Sequence, residues 1–455
     1  MLALVLASAL AATPRPLPDA PSGIYVPQLD RTDGVIAFMQ RAGERSVLLR
    51  PATWFSEFHP LLFIDFTRPD SLEAAGIQKR GSATVSFRKD GRMTCLELSD
   101  PKRFDQRTRE KLSALGTLWE GKVKGVPVVA AKGPDGTVLA GHATKNTISC
   151  AFVSSTDAKA LMESAATAVT KPVVKGNWAS ARKLPGSVVL VMEEGAAGLT
   201  GEATTLRVEG RSSSLPIPAV QKISASPYAG LSPAGMLVAR ASVSAKDAPL
   251  ALRALTREVS RFCDGCGAGV NAFEAAIARE LTGQVAFGLR TLQIRGRLRT
   301  PAQRFFAAKQ AWLAEVGNTG KVKEAIAKLS TLPGAKPSAD GWVIPLDGGE
   351  VHVGLRDRHL YLANDAAALD ALWTGLPTKG AKVEHGAEFV LGPKAVSQTL
   401  ASISLFDVVG SKELAGLFAA GTELGPVLSI TDSLSGWADG GGDGHRFGIQ
   451  WKLNP

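Results

Sequence analysis

Residues 71–115 read SLEAAGIQKRGSATVSFRKDGRMTCLELSDPKRFDQRTREKLSAL, and residues 272–316 read AFEAAIARELTGQVAFGLRTLQIRGRLRTPAQRFFAAKQAWLAEV. The order of events is the same in both: an Ala-rich helix end, a short turn, two strands, a Pro-marked break, a helix. A second pair follows. GTVLAGHATKNTISCAFVSSTDAKALMESA (136–165) matches GEVHVGLRDRHLYLANDAAALDALWTGL (349–376), each two strands around a tight turn and then an Asp that caps a helix. A period this long marks two copies of a domain-sized module rather than a solenoid of short repeats.

Working outward, the first copy predicts strands near 82–88, 92–98, 127–132, 137–143 and 147–153, with helices near 101–116 and 157–169. Lys89-Asp90-Gly91 and Pro134-Asp135-Gly136 are hairpin signals between alternating segments. The second copy predicts strands near 284–290, 292–298, 341–346, 349–355 and 358–363, and helices near 247–262, 271–282, 301–316, 319–330 and 365–374. Hairpins mixed with non-crossover helices mean α+β with antiparallel sheet. The alternating strands suggest helices on one sheet face and a wetter opposite face. The expected organisation is a signal peptide at 1–12, a Pro-rich linker at 13–23, module one at 24–175, intermodule strands and loops at 176–232, and module two at 233–380. A partial third repeat is expected at 381–455, because AEFVLGPKAVSQTLASI (387–403) repeats the strand-then-helix opening.

The chain has 455 residues, a net charge of +10, 45% hydrophobic residues and only 6% aromatics, so its core must be built mostly from Ala, Val and Leu. The opening MLALVLASALAA, followed by Pro14, Pro16 and Pro18, reads as a secretory signal, although no Lys or Arg precedes the apolar run. Either the signal is minimal or the true start lies upstream. No later stretch reaches about 18 uninterrupted apolar residues, so no transmembrane helix is expected. Basic residues cluster at Arg80, Arg88, Lys89 and Arg92, and again at Arg290 to Arg304. In a strand, Arg295, Arg297 and Arg299 would line one face and could meet an anionic partner; the plainer reading is a solvated sheet face. Nucleic acid is not expected, because no stacking aromatics are interleaved with these arginines.

Cys95 and Cys150 are both missing from the second copy, where matching Val85 to Val285 and Asp157 to Asp365 puts Arg295 and Arg358. Joint presence and joint absence predict a Cys95–Cys150 disulfide in module one. Cys263-Asp264-Gly265-Cys266 is a CxxC after the periodic stretch 248–262. A structural bridge is expected; a redox pair would open a helix, and a zinc site would need a second ligand pair.

No catalytic constellation emerges. Ser180-Ala181-Arg182-Lys183 matches S-x-x-K without the partner motifs of penicillin-recognising enzymes. Asp439 to His445 (DGGGDGH) lacks the order of a calcium loop. The six histidines, His59, His142, His352, His359, His385 and His445, form no zinc-protease motif and read as surface or half-buried. No cofactor and no metal are expected.

On GSATVSF, its hairpin and the helix starts STDAKAL and NDAAAL, the chain resembles exported bacterial proteins with duplicated α+β modules, of the kind catalogued as domains of unknown function. The resemblance covers most of 25–375 and implies no activity. The expected role is that of a non-enzymatic, periplasmic or extracellular cell-envelope protein with a binding or structural task. It would hold an amphipathic or anionic ligand, or an envelope protein partner, between its modules, with peripheral membrane contact left open. The alternative is a hydrolase whose site is assembled from scattered residues.

Overall fold

The computed structural model describes residues 22–51, 69–155, 158–170, 183–213, 220–230, 235–250, 266–293, 300–376, 381–402, 412–440 and 444–455, with a few isolated positions between them. The chain divides into two compact units, one ending at Ser213 and one running Ser214–Asn454. Each combines helices with antiparallel sheet, an α+β architecture. Among the described residues, no helix is long and apolar enough to cross a membrane.

The first unit contains β1 (Ser22–Val26), α1 (Asp33–Gly43), α2 (Pro69–Ala74), β2 (Ala83–Arg88), β3 (Gly91–Glu97), α3 (Pro101–Leu115), β4 (Thr117–Val123) and β5 (Val126–Lys132). It continues through β6 (Val138–Lys145), β7 (Ile148–Ser154), α4 (Ala158–Thr170), β8 (Val188–Met192), β9 (Gly195–Glu202) and β10 (Thr205–Ser212). Helix α3 starts where the sequence says it should: the Asp100 carboxylate accepts from the Arg103 N–H and Pro101 opens the first turn. The strand order is β4-β5-β6-β7-β3-β2-β1-β8-β9-β10, every neighbour antiparallel.

Strands β5 to β7 are covered on both faces, not one. Val128, Ala143, Cys150 and Phe152 pack under Leu161, Ala165 and Val169 of α4. The alternate residues Val129, Ala131, Ala140 and Ala151 pack with Leu112 of α3. This explains the continuous buried runs in these strands, where a half-exposed sheet would alternate.

The second unit contains β11 (Ala225–Ser226), β12 (Leu237–Ser242), α5 (Gly267–Ile277), β13 (Leu281–Leu292), α6 (Pro301–Ala307), β14 (Ala308–Val316), α7 (Thr319–Ala327), β15 (Lys336–Pro337) and β16 (Gly341–Leu346). It continues through β17 (Gly349–Arg356), β18 (His359–Ala363), α8 (Ala366–Thr374), β19 (Ala381–Lys382), β20 (Ala387–Leu391), α9 (Pro393–Ala401), α10 (Lys412–Ser429), β21 (Thr431–Gly440) and β22 (His445–Leu453). Its main sheet runs β15-β16-β17-β18-β14-β13-β12-β20-β21-β22, again antiparallel throughout. Position by position, this is the strand order of the first unit. Here too both faces are covered: Phe273, Ile277, Val322 and Ile326 lie over Val351, Val353 and Leu360, while Ala368, Leu369 and Leu372 of α8 lie over Ala311, Leu313 and Tyr361.

Three sequence expectations change. The helix over 301–316 stops at Ala307, although a Thr300–Gln303 capping box starts it well. Beyond it, 308–316 is a central strand hydrogen-bonded to β13 and β18, and pairing on both sides overrides the helix propensity of FAAKQAWLAEV. Residues 176–232 are not only a connection: β8 pairs with β1, and β9 and β10 follow outward. Residues 381–455 likewise supply β20 to β22 to the second unit, β20 pairing with β12. In each unit the first strand is left with an open edge by the hairpins that follow it, and the last three strands close that edge.

The Cys95–Cys150 disulfide is present, in register between β3 and β7 with Cα atoms 4.0 Å apart. Counting from the matching hairpin turns at Asn146 and Asp357, both with positive φ, puts Tyr361 in the place of Cys150. Its cross-strand partner is Leu313. At the same ladder position of the second unit stand Leu313 and Tyr361, rather than Arg295 and Arg358. In the second unit α6 lies between β13 and β14, whereas β2 and β3 are joined directly by a turn. Cys266 is also disulfide-bonded and sits at the N-cap of α5, opening a helix rather than closing one.

Candidate functional site

Strand β12 carries Arg240 and Ser242 on the same face as Val238, which packs with Tyr228 and α8, and both are buried. From them a band of polar side chains crosses the second unit. The Gln284 amide donates to the Ser242 hydroxyl at 2.6 Å and accepts from Ser226 at 3.1 Å. Further along, Glu315 of β14 accepts from the Thr282 hydroxyl at 2.9 Å. Glu315 stands opposite His359 of β18, which stands opposite Arg356 of β17. The fully buried Tyr228 plugs this band, its hydroxyl 3.0 Å from His359 Nδ1. Trp373 of α8 packs edge-on against His359 and takes the Arg356 guanidinium over its face at 5.0 Å.

The protonation states follow from burial. Desolvation pushes the Tyr228 phenol well above its ordinary value, and the Glu315 charge adds to this. Desolvation also lowers His359, with Arg358 acting the same way and Glu315 and Asp357 opposing. The pair is therefore a neutral phenol and a neutral imidazole joined by one hydrogen bond at Nδ1. That arrangement clamps residues 226–229 to the sheet but supplies neither an anionic nucleophile nor a charged base.

Because the native His359 ring binds its proton less tightly than a free imidazole, whose ordinary value is 6.5, its contribution to stability is complete above that value. It is lost as pH falls through the lower native value. Denaturant midpoints are expected to fall on the acid side of 6.5 more steeply for the native chain than for His359→Gln. Parallel curves would remove His359 from this role.

At the other end of the band, Arg240 meets Glu388 at 2.6 Å and donates to the His385 carbonyl at 3.1 Å. The His385 ring stacks on Trp437, centroids 4.0 Å apart, and its Nδ1 lies 2.8 Å from Asp439. Burial works against the Asp439 carboxylate, yet hydrogen bonds from His385 and the Gly386 N–H hold it below the ordinary carboxylate range. Trp437 in turn lies over Gly448, where a Cβ would come within 2.2 Å of the indole nitrogen. A glycine is required there because the ring occupies its face.

The first unit has its own cluster. His142 is buried, with Nδ1 3.1 Å from the Thr144 hydroxyl and Nε2 3.3 Å from Asp105. That second contact does not meet hydrogen-bond geometry. His142, and then Arg109, hold the Asp105 carboxyl low against burial. Ser or Thr beside His and Asp suggests a hydrolytic triad, but the protons run the wrong way. Thr144 donates to Ser149 and Ser149 to the Ala143 carbonyl, whereas a nucleophile must give its proton to the imidazole.

The sequence-derived candidates fare unevenly. Cys95 and Cys150 are joined; Arg295, Arg297, Arg299 and Cys263 lie outside the described residues, as do Ser180 and the signal-like residues 1–12. Three members of the basic clusters are ion-paired: Arg88 with Asp90, Arg80 with Asp30 and Arg290 with Asp365. His142 and His445 are buried rather than exposed. Among the described residues, no group of three or more His, Cys, Asp or Glu is placed to hold a metal. Sequence reasoning missed Tyr228, Arg240, Glu315 and Glu388, and weighed Asp439 only as part of a calcium loop. The one available signal was Arg240 at an inward position of the alternating strand LVARAS; the other members meet only across long separations.

No protein-family model matches the chain. No curated protein matches it either. Among solved structures, it is similar to crystal form I of TP0453 at 9% identity, over 78% of this chain and 93% of that one. The TM-score is 0.21.

Proposed function

We propose that the chain is a non-enzymatic, exported protein of the cell envelope, periplasmic or extracellular, whose task is binding or structural. The observation that carries this reading is the inward pairing of the titratable groups. Tyr228 engages His359, His385 engages Asp439, and His142 engages Asp105, each across elements distant in sequence. Groups used this way hold strands and segments in place instead of converging on an open position where a substrate would react. The Cys95–Cys150 bond supports an oxidising compartment.

The same reading takes the two units as copies of one module. The shared strand order supports this, with the helices 393–401 and 412–429 inserted between the counterparts of β8 and β9. The partner would be an envelope protein or a small amphipathic molecule. Protein taken without reductant from its own envelope should show residues 95 and 150 in one linked peptide. Native mass spectrometry should show a retained partner or ligand. Recovery from the cytoplasm with both thiols free would overturn export, and turnover of a panel of ester or peptide substrates would overturn the non-enzymatic role.

A further inference from the structure

The two units end their sheets differently at corresponding positions. In the second unit the edge strand β15 is two residues long and contains Pro337, which lacks the N–H that a further strand would need. In the first unit the corresponding edge strand, β4, has seven residues, TLWEGKV, and no proline. Among the described residues β4 pairs only with β5.

Its turn fixes which backbone groups face outward. Lys124 and Gly125 both have positive φ, the signature of a two-residue type I′ turn, so Val123 and Val126 form the closing hydrogen-bonded pair. Counting back in twos, Gly121, Trp119 and Thr117 also bond to β5, and the N–H and C=O groups of Leu118, Glu120 and Lys122 point away from it. Glu120 is 61% exposed and is ion-paired with Arg109 of α3, Leu118 is 37% exposed, and Lys122 is exposed.

We propose that this edge takes the same edge of a second copy, forming a two-fold antiparallel β4–β4 pair centred on Gly121. Only even-numbered residues can bond across the edge, which limits the registers. Centring on Gly121 puts Glu120 opposite Lys122 of the other copy twice, with Trp119 beside Val123 on the opposite face. Shifting the centre to Glu120 or Lys122 puts like charges opposite each other. Charges that would otherwise guard a lone edge thus select one self-complementary pairing. The contact is small, so the dimer is of the weak, concentration-dependent kind.

Sedimentation of the full chain is the test. The native protein should pass from monomer to dimer with rising concentration. Glu120→Lys and Lys122→Glu should each weaken association by about tenfold or more, since each replaces two attractions by two repulsions. Mixing the two variants should restore it as a heterodimer, because the charges are again opposite. Glu120→Pro, which removes an outward N–H but no β5 bond, should be monomeric while keeping the native circular dichroism spectrum. A native chain that stays monomeric at every concentration, including one that pairs only with other proteins, overturns the proposal. So does a dimer indifferent to all three variants, or a folded variant mixture that fails to associate.

Discussion

Replacing both Cys95 and Cys150 by alanine is expected to lower the unfolding free energy of the first unit by about 4 kcal/mol. The bond closes a loop of 55 residues in sequence, and removing that closure returns this much conformational entropy to the unfolded chain. The location of the loss is as informative as its size. Leu313 and Tyr361 hold the same ladder position of the second unit without a covalent link. Amide exchange should therefore quicken in β3 and β7 while β14 and β18 keep their protection. A loss below about 1 kcal/mol would mean that the reduced chain is already constrained there.

The second large effect concerns Arg240. Its side chain is only 3% exposed, and Glu388 neutralises it. Glu388→Gln leaves a buried guanidinium without a counter-charge, and we expect a cost of about 3 kcal/mol. Arg240→Met should cost far less, within about 1 kcal/mol, because Glu388 is 35% exposed and can turn to water. Arg240 also has a buried Nη1 with no hydrogen-bond partner, which further lowers the value of keeping the charge. The double variant should resemble Arg240→Met alone. Equal costs for the two single changes, read from denaturant midpoints, would show that water reaches the guanidinium.

Much of each unit was legible where local chemistry acts. The Asp100-Pro101 start of α3, the Asp365 cap of α8 and the turns at Asn146 and Asp357 are set by residues a few positions apart. The disulfide was legible for a different reason: a recurring sequence pattern carries both cysteines once and neither the second time. Strands β4 and β9 were not legible. TLWEGKV mixes polar and apolar residues and GAAGLTGE is mostly small, and neither has the alternation that marks a strand. They are strands because a neighbour offers a ladder of hydrogen bonds.

The polar band of the second unit shows the same division. Tyr228 and His359 are 131 positions apart, and Arg240 and Glu388 are 148 apart. No spacing rule links residues at such separations.

The chain by itself determined the α+β class, the cysteine pairing and the recurrence of hairpins and capped helices, because propensity, capping and turn geometry act over a few residues. Only the tertiary structure decided that 308–316 is a strand, that both sheet faces are covered, and that the last three strands complete each unit. Those outcomes depend on which backbone groups find partners far along the chain, and that choice is made by the packed sheet as a whole.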